Sequence, residues 1–120
     1  MKRIFLLPAL LLSICMWATE YTVGSWRMTL TDTGSVDIYQ GTAQILAGNV
    51  AKVKIGSEEY RLSDLAIQSV TDEALTDSFG TGRKVIITAQ LNEHTTLVHS
   101  YNLYEDQDYI LTQVRIEADT

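Results

Sequence analysis

The sequence predicts an all-β fold, an antiparallel β-sandwich preceded by a signal peptide. Apolar and polar residues alternate with a period of two in most segments, as they do along strands that bury one face. Residues that favour turns separate these segments. Helical periodicity is nearly absent, and only a short turn near residues 63–65 is expected to be helical.

The first half of the chain contains two strand patterns and a hairpin pattern. The apolar residues that share a face on the two strands are Trp26, Met28 and Leu30, then Val36 and Ile38. Residues 32–35 form the predicted turn between them, where Gly34 tolerates a positive φ. Residues 51–62 are expected to form a hairpin that turns at residues 56–59.

The second half predicts a meander of three longer strands, rich in β-branched residues. The residues expected to share a face on each strand are Val85, Ile87, Ala89 and Leu91; Leu97, His99, Tyr101 and Leu103; and Ile110, Thr112, Val114 and Ile116. Turns are predicted at residues 92–94 and 105–108. The sequence stops soon after the third strand, so we expect an incomplete sandwich with an open sheet edge.

Composition bounds the class of protein. The chain has 120 residues, of which 46% are hydrophobic and 20% are charged. These values fit one globular domain and exclude a disordered chain.

The net charge is −6, and no basic run occurs beyond residues 1–3. Nucleic acid is therefore not an expected partner, whereas neutral partners such as sugars are compatible with an acidic surface.

The first 18 residues are predicted to be a secretory signal peptide. Lys2 and Arg3 precede an apolar run over residues 4–15, and cleavage is expected after Ala18. The remaining residues, 19–120, then form the exported sandwich domain or fragment. The apolar run is too short to span a bilayer and no second one follows, so no transmembrane segment is expected. Cys15, the single cysteine, leaves open an alternative in which the protein is a lipoprotein anchored there.

No catalytic, cofactor-binding or metal-binding residue is predicted. The run Gly80-Thr81-Gly82 could suggest a phosphate loop, but such a loop opens a helix, and this one precedes a strand pattern. Two acidic pairs, at residues 72–73 and 105–106, are expected to lie in polar turns. A glycosidase needs a carboxyl group with a raised pKa, and therefore a buried one, so a catalytic pair is not expected.

Two groups of residues carry side chains of metal-binding type. Glu105, Asp106 and Asp108 offer the oxygen ligands that calcium prefers, although their spacing does not match an EF-hand loop. His94 and His99 have neither a cysteine partner in the exported domain nor helical spacing, so zinc is not expected.

Tyr104 and Tyr109 flank the turn at residues 105–108, and they are the candidate surface for binding carbohydrate. Aromatic rings offer an apolar face on which a sugar ring can stack. The alternative is that these two rings cover the edge of the core.

The region from residue 77 to residue 116 resembles a known family. It contains Asp77-Ser78-Phe79-Gly80-Thr81-Gly82-Arg83 before one strand, and Tyr101-Asn102-Leu103-Tyr104-Glu105-Asp106 before another. This pattern resembles the N-terminal β-sandwich of α-galactosidase-like glycoside hydrolases of the melibiase type. The resemblance implies hydrolysis of terminal α-galactosides with retention and without a cofactor.

In that family the catalytic aspartates lie on a (β/α)₈ barrel that follows the sandwich. The barrel would need about 250 further residues, so no catalytic residue can be transferred to this chain. We therefore expect an exported, non-catalytic sandwich segment that packs beside a downstream catalytic domain. The alternative is a stand-alone secreted or lipid-anchored module that binds glycan or protein.

Overall fold

The computed structural model describes residues 18–118, which form ten strands. Eight strands make two four-stranded antiparallel sheets, and the other two make a hairpin. The two large sheets contribute to one shared core, so the predicted all-β, antiparallel sandwich is confirmed. Residues 1–17 of the predicted signal peptide, including Cys15, lie outside the described residues.

The first sheet is a meander of four strands in sequence order. These are β1 (Ala18–Val23), β2 (Trp26–Thr31), β3 (Val36–Gln40) and β4 (Ala43–Asn49). Alternate residues of β2 and β3 are buried, as the sequence predicted, and Gly34 adopts a φ of 86° in the turn between them. The pairing of β3 with β4 is irregular, with two register shifts.

The second sheet is also a meander, with longer strands. These are β7 (Ala66–Asp77), β8 (Gly80–Asn92), β9 (Thr95–Tyr104) and β10 (Ile110–Ala118). The predicted strands and turns of this half are confirmed. Because β8 begins at Gly80, the glycine run opens a strand and forms no helix N-terminus for a phosphate.

A small hairpin and a helical turn connect the two sheets. The hairpin consists of β5 (Lys52–Ile55) and β6 (Glu58–Arg61), so its turn is shorter than the sequence predicted. A 3₁₀ turn at Leu62–Asp64 follows. The Leu62 amide donates to the Ala51 carbonyl at 2.9 Å, and the Leu62 side chain is fully buried. This buried leucine fixes the connection against the core.

The core consists of the inner faces of both sheets. The first sheet contributes Trp26, Met28, Leu30, Val36 and Ile38, and the second contributes Val85, Ile87, Ala89, Leu97, Tyr101 and Leu103. Most of these side chains are 2% exposed or less. Burial of this apolar surface is the main favourable term in folding.

Over the described range, no helix is long and apolar enough to cross a membrane.

Three strands, β1, β4 and β7, were not predicted from the sequence. β4 has no fully buried residue and β7 has none either, so neither shows a simple alternation of apolar and polar side chains. β7 also contains a register shift between Ile67 and Ser69, which breaks the period of two. These strands form because they pair with a neighbouring strand, and not because their own residues alternate between apolar and polar.

One close backbone approach joins the two sheets. Gly24 lies in the turn between β1 and β2 with a φ of 58°. A side chain at this position would meet the carbonyl oxygen of Glu105 and lie 2.9 Å from its Cα. Glycine is therefore required here both for its backbone conformation and for the space.

We expect Gly24→Ala to lower the free energy of unfolding by about 3 kcal/mol, because a left-handed backbone and a steric clash are combined. Gly41 is the matched control, since its φ is 61° and nothing lies within 4 Å of an added Cβ. Gly41→Ala should cost only about 1 kcal/mol. Urea unfolding of both variants measures the difference, and equal losses would show that the approach to Glu105 contributes nothing.

Candidate functional site

Two turns lie side by side at one end of the second sheet, which we call the turn end. One joins β7 to β8 and the other joins β9 to β10. Because β8 pairs with both β7 and β9, residues Asp77, Gly82 and Tyr104 come together there. The Glu105 amide donates to the Thr81 carbonyl at 2.9 Å, which connects the two turns directly.

Three aromatic side chains meet at the turn end. The ring centroids of Tyr104 and Tyr109 are 5.7 Å apart at 60°, and those of Tyr104 and Phe79 are 6.4 Å apart at 50°. These are favourable geometries for tilted aromatic pairs. Phe79 and Tyr109 remain 50% and 38% exposed, whereas Tyr104 is fully buried.

Tyr104 is the buried member of the cluster, and hydrogen bonds hold its side chain in place. Its hydroxyl donates to Asp77 Oδ2 at 2.9 Å and accepts from Asn102 Nδ2 at 3.2 Å. Burial, together with the nearby Asp77 carboxylate, raises the pKa of the Tyr104 phenol, so the hydroxyl stays protonated at neutral pH. The structure thus brings Tyr104 and Tyr109 together, but Tyr104 offers no ring face to a ligand.

Phe79 is the exposed partner of Tyr109, and it was not among the residues predicted to bind a ligand. The Tyr109 hydroxyl donates to the Phe79 carbonyl at 2.7 Å, and the Phe79 amide donates to Asp77 Oδ1 at 2.9 Å. These bonds fix the backbone of Phe79 and the side chain of Tyr109 without covering either ring. The sequence could have indicated this exposure, because Phe79 is a large apolar residue in a turn of small and polar residues, and turns lie at the surface.

The first sheet holds the β9–β10 turn from the other side. The Trp26 indole Nε1 donates to the Gln107 carbonyl at 3.2 Å, and Gln40 Nε2 donates to Asp108 Oδ1 at 3.5 Å. Trp26 itself is buried in the core. The turn that carries Tyr109 is therefore anchored to both sheets.

The acidic residues near the turn end are exposed or already hydrogen-bonded. In the described part of the chain, no three His, Cys, Asp or Glu side chains are placed to hold a metal ion. Glu105, Asp106 and Asp108 are exposed around the turn. Both carboxylate oxygens of Asp77 already accept hydrogen bonds from Phe79 and Tyr104. Asp72 and Glu73 lie within β7 and not in the expected turn, and Asp72 forms an exposed ion pair with Arg83 at 2.6 Å.

The two histidines lie far apart in the sheet. His94 is in the exposed turn between β8 and β9, 3.5 Å from Glu93. His99 is 2% exposed on the inner face of β9, and its Nε2 is 2.9 Å from Thr112 Oγ1. Its ring centroid is 4.4 Å from that of Tyr101, whose hydroxyl accepts from Asn49 at 2.6 Å. His99 thus lies on the strand face that the sequence predicted, among buried core residues.

Burial also affects the protonation of His99. Burial lowers the pKa of its imidazole to about 4, well below the ordinary 6.5, because a charged ring would lose its hydration. Its Nδ1 is buried and lacks a hydrogen-bond partner among the described residues. The folded protein therefore favours the neutral ring at physiological pH.

Compared with protein-family models, with curated proteins and with solved structures, the chain gives no significant match. The resemblance to α-galactosidase-like sandwiches therefore rests on the sequence pattern between residues 77 and 116, and its functional implications remain proposals.

We expect the stability of the fold to decrease as the pH falls from 6.5 to 4. The unfolded chain gains a proton on His99 below pH 6.5, but the folded chain resists it until about pH 4. The neutral His99 ring therefore stabilises the fold fully above pH 6.5. As the pH falls to 4, its contribution to the free energy of unfolding decreases by at most about 3 kcal/mol. Urea unfolding at a series of pH values measures it.

Two variants isolate this contribution. His99→Gln should flatten the slope of unfolding free energy against pH between 6.5 and 4, whatever its effect on stability at pH 7. His94→Gln, at the exposed turn, should keep the slope of the parent. Parallel slopes for the parent and His99→Gln would contradict the assignment.

Proposed function

We propose that the chain is an exported, non-catalytic β-sandwich module of a carbohydrate-active protein, and that it binds neutral saccharide at the turn end. The observation that carries the proposal is the pair of exposed aromatic rings, Phe79 and Tyr109. They occupy two adjacent turns that are hydrogen-bonded to each other and to both sheets. Export rests on the signal-peptide pattern of residues 1–18.

Aromatic rings are suited to sugars because the C–H face of a pyranose is apolar while its edge carries hydroxyl groups. A ring that is held in place loses little side-chain entropy when the ligand binds. Tyr109 meets this condition, since its hydroxyl donates to the Phe79 carbonyl, while the backbone of Phe79 is held by Asp77 and its ring packs beside Tyr104. The site is consequently preorganised for stacking.

The polar surroundings of the two rings favour an uncharged ligand. Asp106 and Asp108 are exposed beside them and can accept hydrogen bonds from sugar hydroxyls. The chain as a whole carries a net charge of −6, which repels polyanionic ligands. A neutral oligosaccharide satisfies both conditions.

The absence of catalysis is part of the proposal. A retaining glycosidase uses two carboxyl groups on either side of the scissile bond, one of them with a raised pKa. At the turn end, Asp77 is committed to Phe79 and Tyr104 through both of its oxygens. The expected packing beside a catalytic barrel stays a prediction from the resemblance.

We expect neutral oligosaccharides at millimolar concentration to shift the amide NMR signals of the turn end, near residues 79 and 109. Raffinose, an α-galactoside, and maltotetraose are suitable probes. Phe79→Ala and Tyr109→Ala should each weaken binding about three- to tenfold, since a stacked aromatic ring contributes on the order of 1 kcal/mol. Titration of the ¹⁵N-labelled protein gives the affinities.

Tyr60→Ala is the matched control, because Tyr60 lies on the β5–β6 hairpin, away from the turn end. It should leave the affinity unchanged. Signals that do not move with any neutral oligosaccharide would reject the saccharide site. Release of galactose from a chromogenic α-galactoside by the purified chain would reject the non-catalytic part.

A further inference from the structure

The outer edge of the second sheet is formed by β10. This strand pairs with β9 along its whole length, from Ile110 with Leu103 to Ala118 with Thr95. In the described chain no strand pairs with its other side, because β10 ends the sheet order. Alternate backbone N–H and C=O groups along this nine-residue strand therefore point outward, as a template for a further strand.

The inner face of β10 is apolar but poorly covered. Val114 lies beside the buried His99, and Ile116 lies beside the buried Leu97. Val114 nevertheless remains 45% exposed and Ile116 38% exposed. The core face of the sheet thus continues past the region that the first sheet covers. A partner that extended this sheet would remove both side chains from water.

The opposite edge of the same sheet is built differently. β7 contains a register shift between Ile67 and Ser69, and it carries Asp72, Glu73 and Asp77. Bulges and charges are the usual devices that prevent pairing at an edge. The pairing of β10 with β9 runs without a shift, and β10 contains neither proline nor lysine. Of these two edges, β10 is the one suited to pairing.

The charges on β10 are balanced in an otherwise acidic protein. Arg115 and Glu117 are the charged residues of the strand, and Arg115 Nη2 lies 2.6 Å from Glu117 Oε2. Both side chains are about half exposed. Two copies of this strand can therefore approach each other without the repulsion that the net charge of −6 would otherwise produce.

We propose that β10 pairs with β10 of a second copy of this chain, antiparallel and about a two-fold axis at Ile116. In this register Ile116 faces its own counterpart, and Val114 faces Ala118. Arg115 of each copy lies directly opposite Glu117 of the other, which gives two equivalent ion pairs. The interface is self-complementary, as a two-fold dimer requires, and it joins the two sheets into one of eight strands. This inference is independent of the saccharide site.

Sedimentation velocity over a concentration series tests the proposal on the full chain. The parent should show a reversible monomer–dimer equilibrium. Ile116→Lys, which places two cations at the axis, should give a monomer. Thr71→Lys, an exposed substitution on the β7 edge, is the matched control and should dimerise like the parent. Circular dichroism confirms that each variant is folded.

A charge exchange tests the register. Arg115→Glu and Glu117→Arg should each weaken dimerisation about tenfold, because like charges then face each other across the axis. The double variant restores opposite charges and should return to within about threefold of the parent. A parent that is monomeric at every concentration overturns the proposal. A dimer that is unaffected by Ile116→Lys, or that the double variant does not restore, also overturns it.

Discussion

The contact between the first sheet and the turn after β9 supports the rest of the structure. Gly24 leaves room for the backbone of Glu105, and the buried Trp26 donates its indole hydrogen to the Gln107 carbonyl. These two contacts connect strands that are about eighty residues apart in sequence. They close one end of the sandwich over the core, and they hold the turn that presents Tyr109. The arrangement of the core and the geometry of the candidate site therefore depend on the same interaction.

Strands that bury one face could be predicted from the sequence, whereas mostly exposed strands could not. Trp26, Met28 and Leu30 alternate with polar residues because one face of β2 is entirely buried, so the period of two is visible. The same alternation is visible in β8. β9 differs, because Leu97 to Tyr101 are all buried and both of its faces are covered there. By contrast, the residues of β4 are mostly exposed, and no pattern marks the strand. At the candidate site, Tyr109 was predictable as an aromatic residue beside a turn. The sequence left open whether Tyr104 is exposed or buried, because its burial depends on Asp77 and Phe79 from a neighbouring hairpin.

His99 shows how a polar residue is accommodated among apolar ones. Its Nε2 contacts Thr112 on the edge strand, and its ring packs against Tyr101, whose phenol has a pKa raised by burial to about 12. Both groups stay neutral at physiological pH, so the core contains hydrogen-bonding side chains without buried charge. A leucine in place of His99 would satisfy the alternation equally well, and the sequence pattern therefore cannot distinguish the two roles.

The unequal edges of the second sheet determine how far a sheet built from this domain can grow. An addition at β10 produces an assembly whose two outer strands are both β7, with its register shift and its carboxylates. No pairing-competent edge of that sheet then remains, so growth by sheet extension ends after one step. A domain with two open edges would instead propagate as a filament. The irregular, acidic β7 strand would thus end the growth of this sheet after one addition.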